Sequence, residues 1–174
     1  LRLSGKGVAM AELSKIKKVI GLLVWLSITF TASFAGAIAS TQSRGFYQEL
    51  TRPLWAPPGW LFAPVWTTLY ILMGISAWIV WKQDGFRDAK YALGFYLFQL
   101  VFNSLWTWLF FVLQSGVLAF FEILLLWVFI LITIILFWKI QPIAGILLLP
   151  YILWVSFATA LTYSVWMSNR NILG

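Results

Sequence analysis

The chain has 174 residues, of which 62% are hydrophobic and only 10% charged; a water-soluble domain is nearer half apolar and a quarter charged. That excess leaves no room for a polar-compatible surface, which excludes a soluble globular protein and points to a bilayer. The formal charge of +7 belongs with a membrane surface rather than nucleic acid, because Arg2, Lys6, Lys15, Lys17 and Lys18 all precede the first apolar run, where basic residues anchor and orient spans.

The sequence contains neither cysteine nor histidine. Disulfides, thiolate chemistry and the usual zinc sites are therefore excluded, and the commonest haem-iron ligands are missing.

In chain order, residues 1–9 show no apolar periodicity and Met10 reads as the natural start, so residues 1–15 are expected as a basic tail that is in part non-native. A transmembrane helix needs about 20 mostly apolar residues. Five stretches qualify, at about 19–40, 65–81, 91–113, 117–138 and 143–167. Between them lie a long link at 41–64, the polar break "KQDGFRDAK", the tight turn "QSG" and the short link "KIQP". Links this short force neighbouring helices antiparallel. The expected fold is an all-α integral membrane protein: one transmembrane domain at 16–169, a five-helix bundle with a long, lid-like first loop, and a C-terminal tail at 170–174.

Lys and Arg set orientation. The basic N-terminus shares its side with Lys82, Arg87, Lys90 and Lys139, whereas Arg44, Arg52 and Arg170 fall on the other. The N-terminus is expected in the cytoplasm of a bacterial-type cell membrane, with the long loop and the C-terminus outside.

Span parity then gathers the unusual residues at the loop end. Trp66 opens the second span, Asn103 and Trp106 lie late in the third, and Glu122 sits five residues into the fourth, roughly 8 Å along a helix. Ala158, Leu161 and Thr162 lie late in the fifth. Gln99, Asn103, Trp106 and Phe110 form one helical stripe, and amides at lipid depth should face the bundle interior. Two readings stand for them: hydrogen-bonded glue between helices, or part of a ligand site.

Glu122 is the only acid inside a span, and no basic residue in a neighbouring span can neutralise it; protonation, a hydrogen bond to Thr107, contact with water and snorkelling are the alternatives. Trp60, Trp66, Trp81, Trp138 and Trp166 fit an interfacial belt, while Trp106, Trp108, Trp127 and Trp154 lie deeper and would suit a flat, apolar ligand. Ala32, Gly36 and Ser40, like Ser156, Ala160 and Ser164, repeat every four residues and read as close helix packing within the bundle or in a homodimer. Catalytic triads, phosphate loops and metal clusters are absent from the sequence.

Three motifs carry a resemblance. "RPLWAPPGWLFAPVWTTLY" (52–70) holds Trp55, Pro57, Pro58, Pro64, Val65, Trp66, Leu69 and Tyr70; "QLVFNSLWTWLFF" (99–111) and "LPYILWVSFATALTYSVW" (149–166) follow in order. Over about 46–169 the chain resembles the tryptophan-rich sensory protein family, also called the translocator protein or peripheral benzodiazepine receptor family. The resemblance implies a five-helix bundle, often dimeric, with a cavity under the first loop that binds porphyrins such as protoporphyrin IX. It implies a pocket that includes Tyr47, Trp55, Pro57, Trp66, Asn103, Trp106, Ala158 and Leu161, with Glu122 where the family usually has an acid.

Two departures count against sterol recognition. Leu161-Thr162-Tyr163 stands where the family often has Leu-Asn-Tyr, and Met167 follows Trp166 where animal members carry a basic residue. The expected function is a porphyrin-binding sensor or transporter that requires no cofactor. Light- and oxygen-dependent porphyrin degradation beside Trp66, or a purely structural membrane role, are the alternatives. The stiff prolines and indoles of the first loop read as a lid that loses little entropy on closing.

Overall fold

The computed structural model describes residues 15–42 and 44–174. The expected basic tail lies outside them, apart from Lys15. Helix α1 (Lys15–Gln42) is followed by α2 (Arg44–Glu49), an extended loop, a single 3-10 turn (Gly59–Leu61) and α3 (Phe62–Asp88). Then come α4 (Lys90–Thr107) with a closing π turn (Trp108–Val112), α5 (Gly116–Ile140), α6 (Pro142–Leu147), α7 (Leu149–Ser168) and α8 (Arg170–Leu173). Five segments are long and apolar enough to cross a bilayer: Lys15–Thr41, Gly59–Asp88, Lys90–Val112, Gly116–Ile140 and Pro142–Ser168.

Proline and glycine chemistry sets several boundaries. Pro64 sits in the first turn of α3, where a missing N–H breaks no helical bond. Gly85, at φ 69°, bends α3 near its end, a conformation glycine reaches without Cβ strain. Pro142 opens α6, and Pro150, which has no N–H to donate, separates α6 from α7. At the other end of the bundle the Leu113 N–H reaches Trp108 O at 2.9 Å, and Gln114 turns the chain at φ 51°. Ser115 then caps α5, accepting the Leu118 N–H at 3.4 Å.

The polar break at 82–90 is helical almost throughout, so α3 outruns its expected end. Lys82 and Lys90 lie over the rings of Trp78 and Tyr91, at 4.4 and 5.0 Å, as side chains at a membrane interface do. The Trp78 Nε1–H donates to Lys18 O at 2.9 Å, which fixes the start of α1 against the same region.

Helix α1 packs on α3 and α4, α5 packs between α4 and α7, and α6 packs on α3 and α5. The small residues of α1 pack against α4: Ser104 Oγ donates to Ala32 O at 2.7 Å, and Gly36 lies against Thr107. At the far end from the loop, Ser76 Oγ donates to Ala144 O at 2.7 Å and joins α3 to α6. Helices α3 and α7 touch only sparsely. The groove between them is lined by Leu61, Pro64, Leu72, Pro150, Leu153 and Phe157. Outward-facing Phe34, Val101, Phe121 and Leu153 are exposed, as lipid-facing residues must be in a bundle whose solvent is hydrocarbon.

Candidate functional site

A cavity of about 900 Å³ opens beneath the first loop. That falls within the range of small-molecule sites. Helix α1 contributes Ser33, Gly36, Ala37 and Ser40, small residues that leave space. Helix α3 contributes Trp66 and Tyr70, α4 and its π turn contribute Asn103, Trp106, Phe110 and Phe111, and α7 contributes Trp154, Ala158, Leu161 and Thr162. Tyr47, Gln48 and Arg52, from α2 and the loop, border it as well.

Its aromatic walls are held by ring-to-ring contacts. Trp66 stacks on Tyr70 at 5.5 Å and 29°, and meets Tyr151 edge-on at 6.3 Å. Trp106 stacks on Phe110 at 5.2 Å and 12°. Tyr47 packs against Phe62 and Phe111, and Phe62 against Trp154. Offset or edge-on pairs of this kind add about 0.5–1.5 kcal/mol beyond area burial. They also fix indole planes before any ligand arrives.

At depth, four polar side chains from three helices satisfy one another. Tyr70 OH donates to Asn103 Oδ1. Asn103 Nδ2 donates to Tyr151 OH at 3.1 Å, and Tyr151 OH donates to Gln99 Oε1 at 2.8 Å. The amide stripe of α4 is thus hydrogen-bonded glue between helices, and Asn103 borders the cavity as well. Buried amides of this kind are costly unless partnered.

The loop is tied to the end of α7 by one side chain. Asn169 Oδ1 accepts the Thr51 N–H at 2.8 Å, and its Nδ2 donates to Thr51 O at 2.8 Å and Val165 O at 2.7 Å. Leu50 and Leu173, from either side of this clasp, are buried in one cluster with Phe110, Leu161 and Val165. Within the loop the Ala56 N–H closes on Pro53 O at 2.9 Å and the Leu61 N–H on Pro58 O at 3.0 Å, with Pro58 extended between.

Tyr47, Trp66, Asn103, Trp106, Ala158, Leu161 and Thr162 thus surround one space, while Trp55, Pro57 and Glu122 do not border it. Trp55 is half-exposed and packs edge-on against Phe157 at 5.7 Å. Pro57 lies half-buried in the extended part of the loop. Glu122 is buried beside Ile123, which lines the cavity. Neither carboxyl oxygen has a hydrogen-bond partner. The bond to Thr107 considered from sequence is not formed, because the Thr107 hydroxyl lies against Gly36 on α1. Burial equally excludes snorkelling.

Sequence reasoning did not single out Arg52 or Asn169 for the site. Arg52 was counted only as a topology charge, and Asn169 lies 118 residues from its partner Thr51.

A bundle of membrane-crossing helices around an aromatic cavity, with a tethered loop at one end, defines a multi-pass membrane protein with room for a small molecule. The chain belongs to the TspO/MBR family, whose family model matches residues 19–167. It is 39% identical over 150 residues to Protein CrtK of Rhodobacter capsulatus, covering 84% of this chain and 94% of that one. It is 35% identical over 156 residues to the Tryptophan-rich protein TspO of Chlorobaculum tepidum, covering 88% and 98%. To the Translocator protein of Ovis aries it is 35% identical over 152 residues, covering 84% and 90%.

Proposed function

We propose that this chain is a membrane receptor or sensor-transporter for porphyrins, protoporphyrin IX and related tetrapyrroles, held in the cavity beneath the first loop. The observation that carries this reading is the pair of stacked walls, Trp66 on Tyr70 and Trp106 on Phe110, bordering one space. A flat conjugated ligand gains most from planes already fixed. Purified protein should bind protoporphyrin IX with micromolar or better affinity, about −8 kcal/mol, read as a Soret shift and tryptophan quenching. An unchanged spectrum at tens of micromolar ligand would sink the reading.

A second reading is favoured by the place of Trp66 on the cavity wall. Bound porphyrin would be degraded under light, with dioxygen as oxidant and Trp66 as the redox-active neighbour. An indole loses an electron more readily than a phenyl ring, while both offer a flat apolar wall. Trp66→Phe should therefore keep binding within a few-fold but abolish light-dependent porphyrin loss. Equal loss in wild type and variant removes Trp66 from any such chemistry.

A further inference from the structure

Building on the reading that the cavity holds a porphyrin, we infer that Arg52 makes it selective for acids. The ligand enters with its apolar body first and leaves its carboxylates at the mouth beside the guanidinium. Among the described residues, Arg52 is the one charged side chain that borders the cavity. Its guanidinium lies over the Tyr47 ring, 5.3 Å from the centroid. Among the described residues no carboxylate pairs with it. Burial pushes the Tyr47 phenol up from its ordinary range, against the opposing pull of Arg52, so no phenolate neutralises the cation at neutral pH.

The site is built rather than incidental. Thr51, the preceding residue, is held through both backbone groups by Asn169, and Pro53 follows with its φ fixed by the ring. The root of the Arg52 side chain is therefore positioned from both sides. The depth of the cavity offers an acid nothing comparable. The Tyr70 hydroxyl proton is committed to Asn103, and the Asn103 amide donates to Tyr151. Around them stand Ile123, Leu126 and Val155. A carboxylate placed there would find only the neutral indole N–H groups of Trp106 and Trp154, buried without partners among the described residues, and would give up its hydration for them, whereas a guanidinium fork receives one with an opposite charge and two parallel hydrogen bonds. Body inward and acids outward is the orientation that satisfies both ends.

The test compares protoporphyrin IX with its dimethyl ester, in nanodiscs of zwitterionic lipid, for wild type, Arg52→Gln and Arg52→Lys. Wild type should bind the free acid about tenfold more tightly than the ester, the scale of one charge-assisted pair. Arg52→Gln should bind both ligands alike, at the wild-type affinity for the ester. Arg52→Lys should keep part of the preference, since charge survives but the fork does not. An undiminished preference in Arg52→Gln, or an equal loss for acid and ester, overturns the assignment; the second pattern marks Arg52 as a structural element of the loop. Wild type binding neither ligand refutes the porphyrin reading itself, a result distinct from binding without preference.

Discussion

Asn103 serves two ends at once. It borders the cavity, and it is the junction through which Tyr70 on α3, Tyr151 on α7 and, by way of Tyr151, Gln99 on α4 are joined. Asn103→Ala would leave the Tyr70 hydroxyl and one side of Tyr151 without partners. Each orphaned buried group costs about 1–3 kcal/mol. We expect a lowered thermal midpoint with or without ligand, whereas Trp66→Phe should leave the unliganded midpoint close to wild type. An Asn103→Ala protein as stable as wild type would show that the network carries no stability. The α4 stripe itself was legible in the sequence, because amides every four residues at lipid depth must face inward. Their partners were not: Tyr70 and Tyr151 are aromatic residues in apolar runs, and nothing in their spacing shows where a hydroxyl points.

Among elements, α1 and α3 approach closely at Gly74. A Cβ added at Gly74 would stand 2.7 Å from Leu26 Cδ2 and 3.2 Å from Leu26 Cα. The first contact can be relieved by a rotamer change, but the second involves backbone. Gly74→Ala already meets that backbone contact and must shift α1 by a few tenths of an ångström, while Gly74→Leu must push the helices further apart, at roughly 1–3 kcal/mol or more. Thermal midpoints of the two variants should fall in that order, and equal midpoints would mean that the two helices are already apart in the membrane. Span existence was legible from run length alone, since a bilayer imposes a minimum of apolar residues. Helix ends were less so. Helix α3 runs on to Asp88, past the bend at Gly85, because leaving the hydrocarbon ends the need for apolar side chains without ending the capacity for helix. The π turn at Trp108–Val112 lies inside an unbroken apolar run, where composition carries no signal of register.

For the whole molecule, the cavity lies at the end toward which the long loop, the 114–115 turn and the last turn of α7 all point. Span parity alone places Trp66, Trp106 and Ala158 there, which is why part of the site could be read before the fold was seen. The loop's own seating could not, since the Thr51–Asn169 pairing spans 118 residues. Which way this end faces depends on the basic residues, whose excess lies opposite the loop. We expect the loop outside a bacterial host membrane. Among the described residues Leu54 and Gln83 are both exposed, one in the loop and one beyond the far end of the bundle, and the sequence has no cysteine to give background. A Leu54→Cys protein should react with a membrane-impermeant thiol reagent in intact cells, and Gln83→Cys only after lysis. The opposite pattern would reverse the orientation and leave the cavity intact.

The clasp at Asn169 gives the last turn of the chain authority over a site that it does not touch. Asn169 is not among the cavity residues, yet it grips the backbone beside Arg52. Beyond it, Leu173 wedges into the cluster that holds Leu50. Whatever tugs on the chain after Ser168, whether a docking protein, a proteolytic cut or a fused tag, would act on the cavity's door by way of its hinge pin. The loop would shift while every wall of the chamber stays in place.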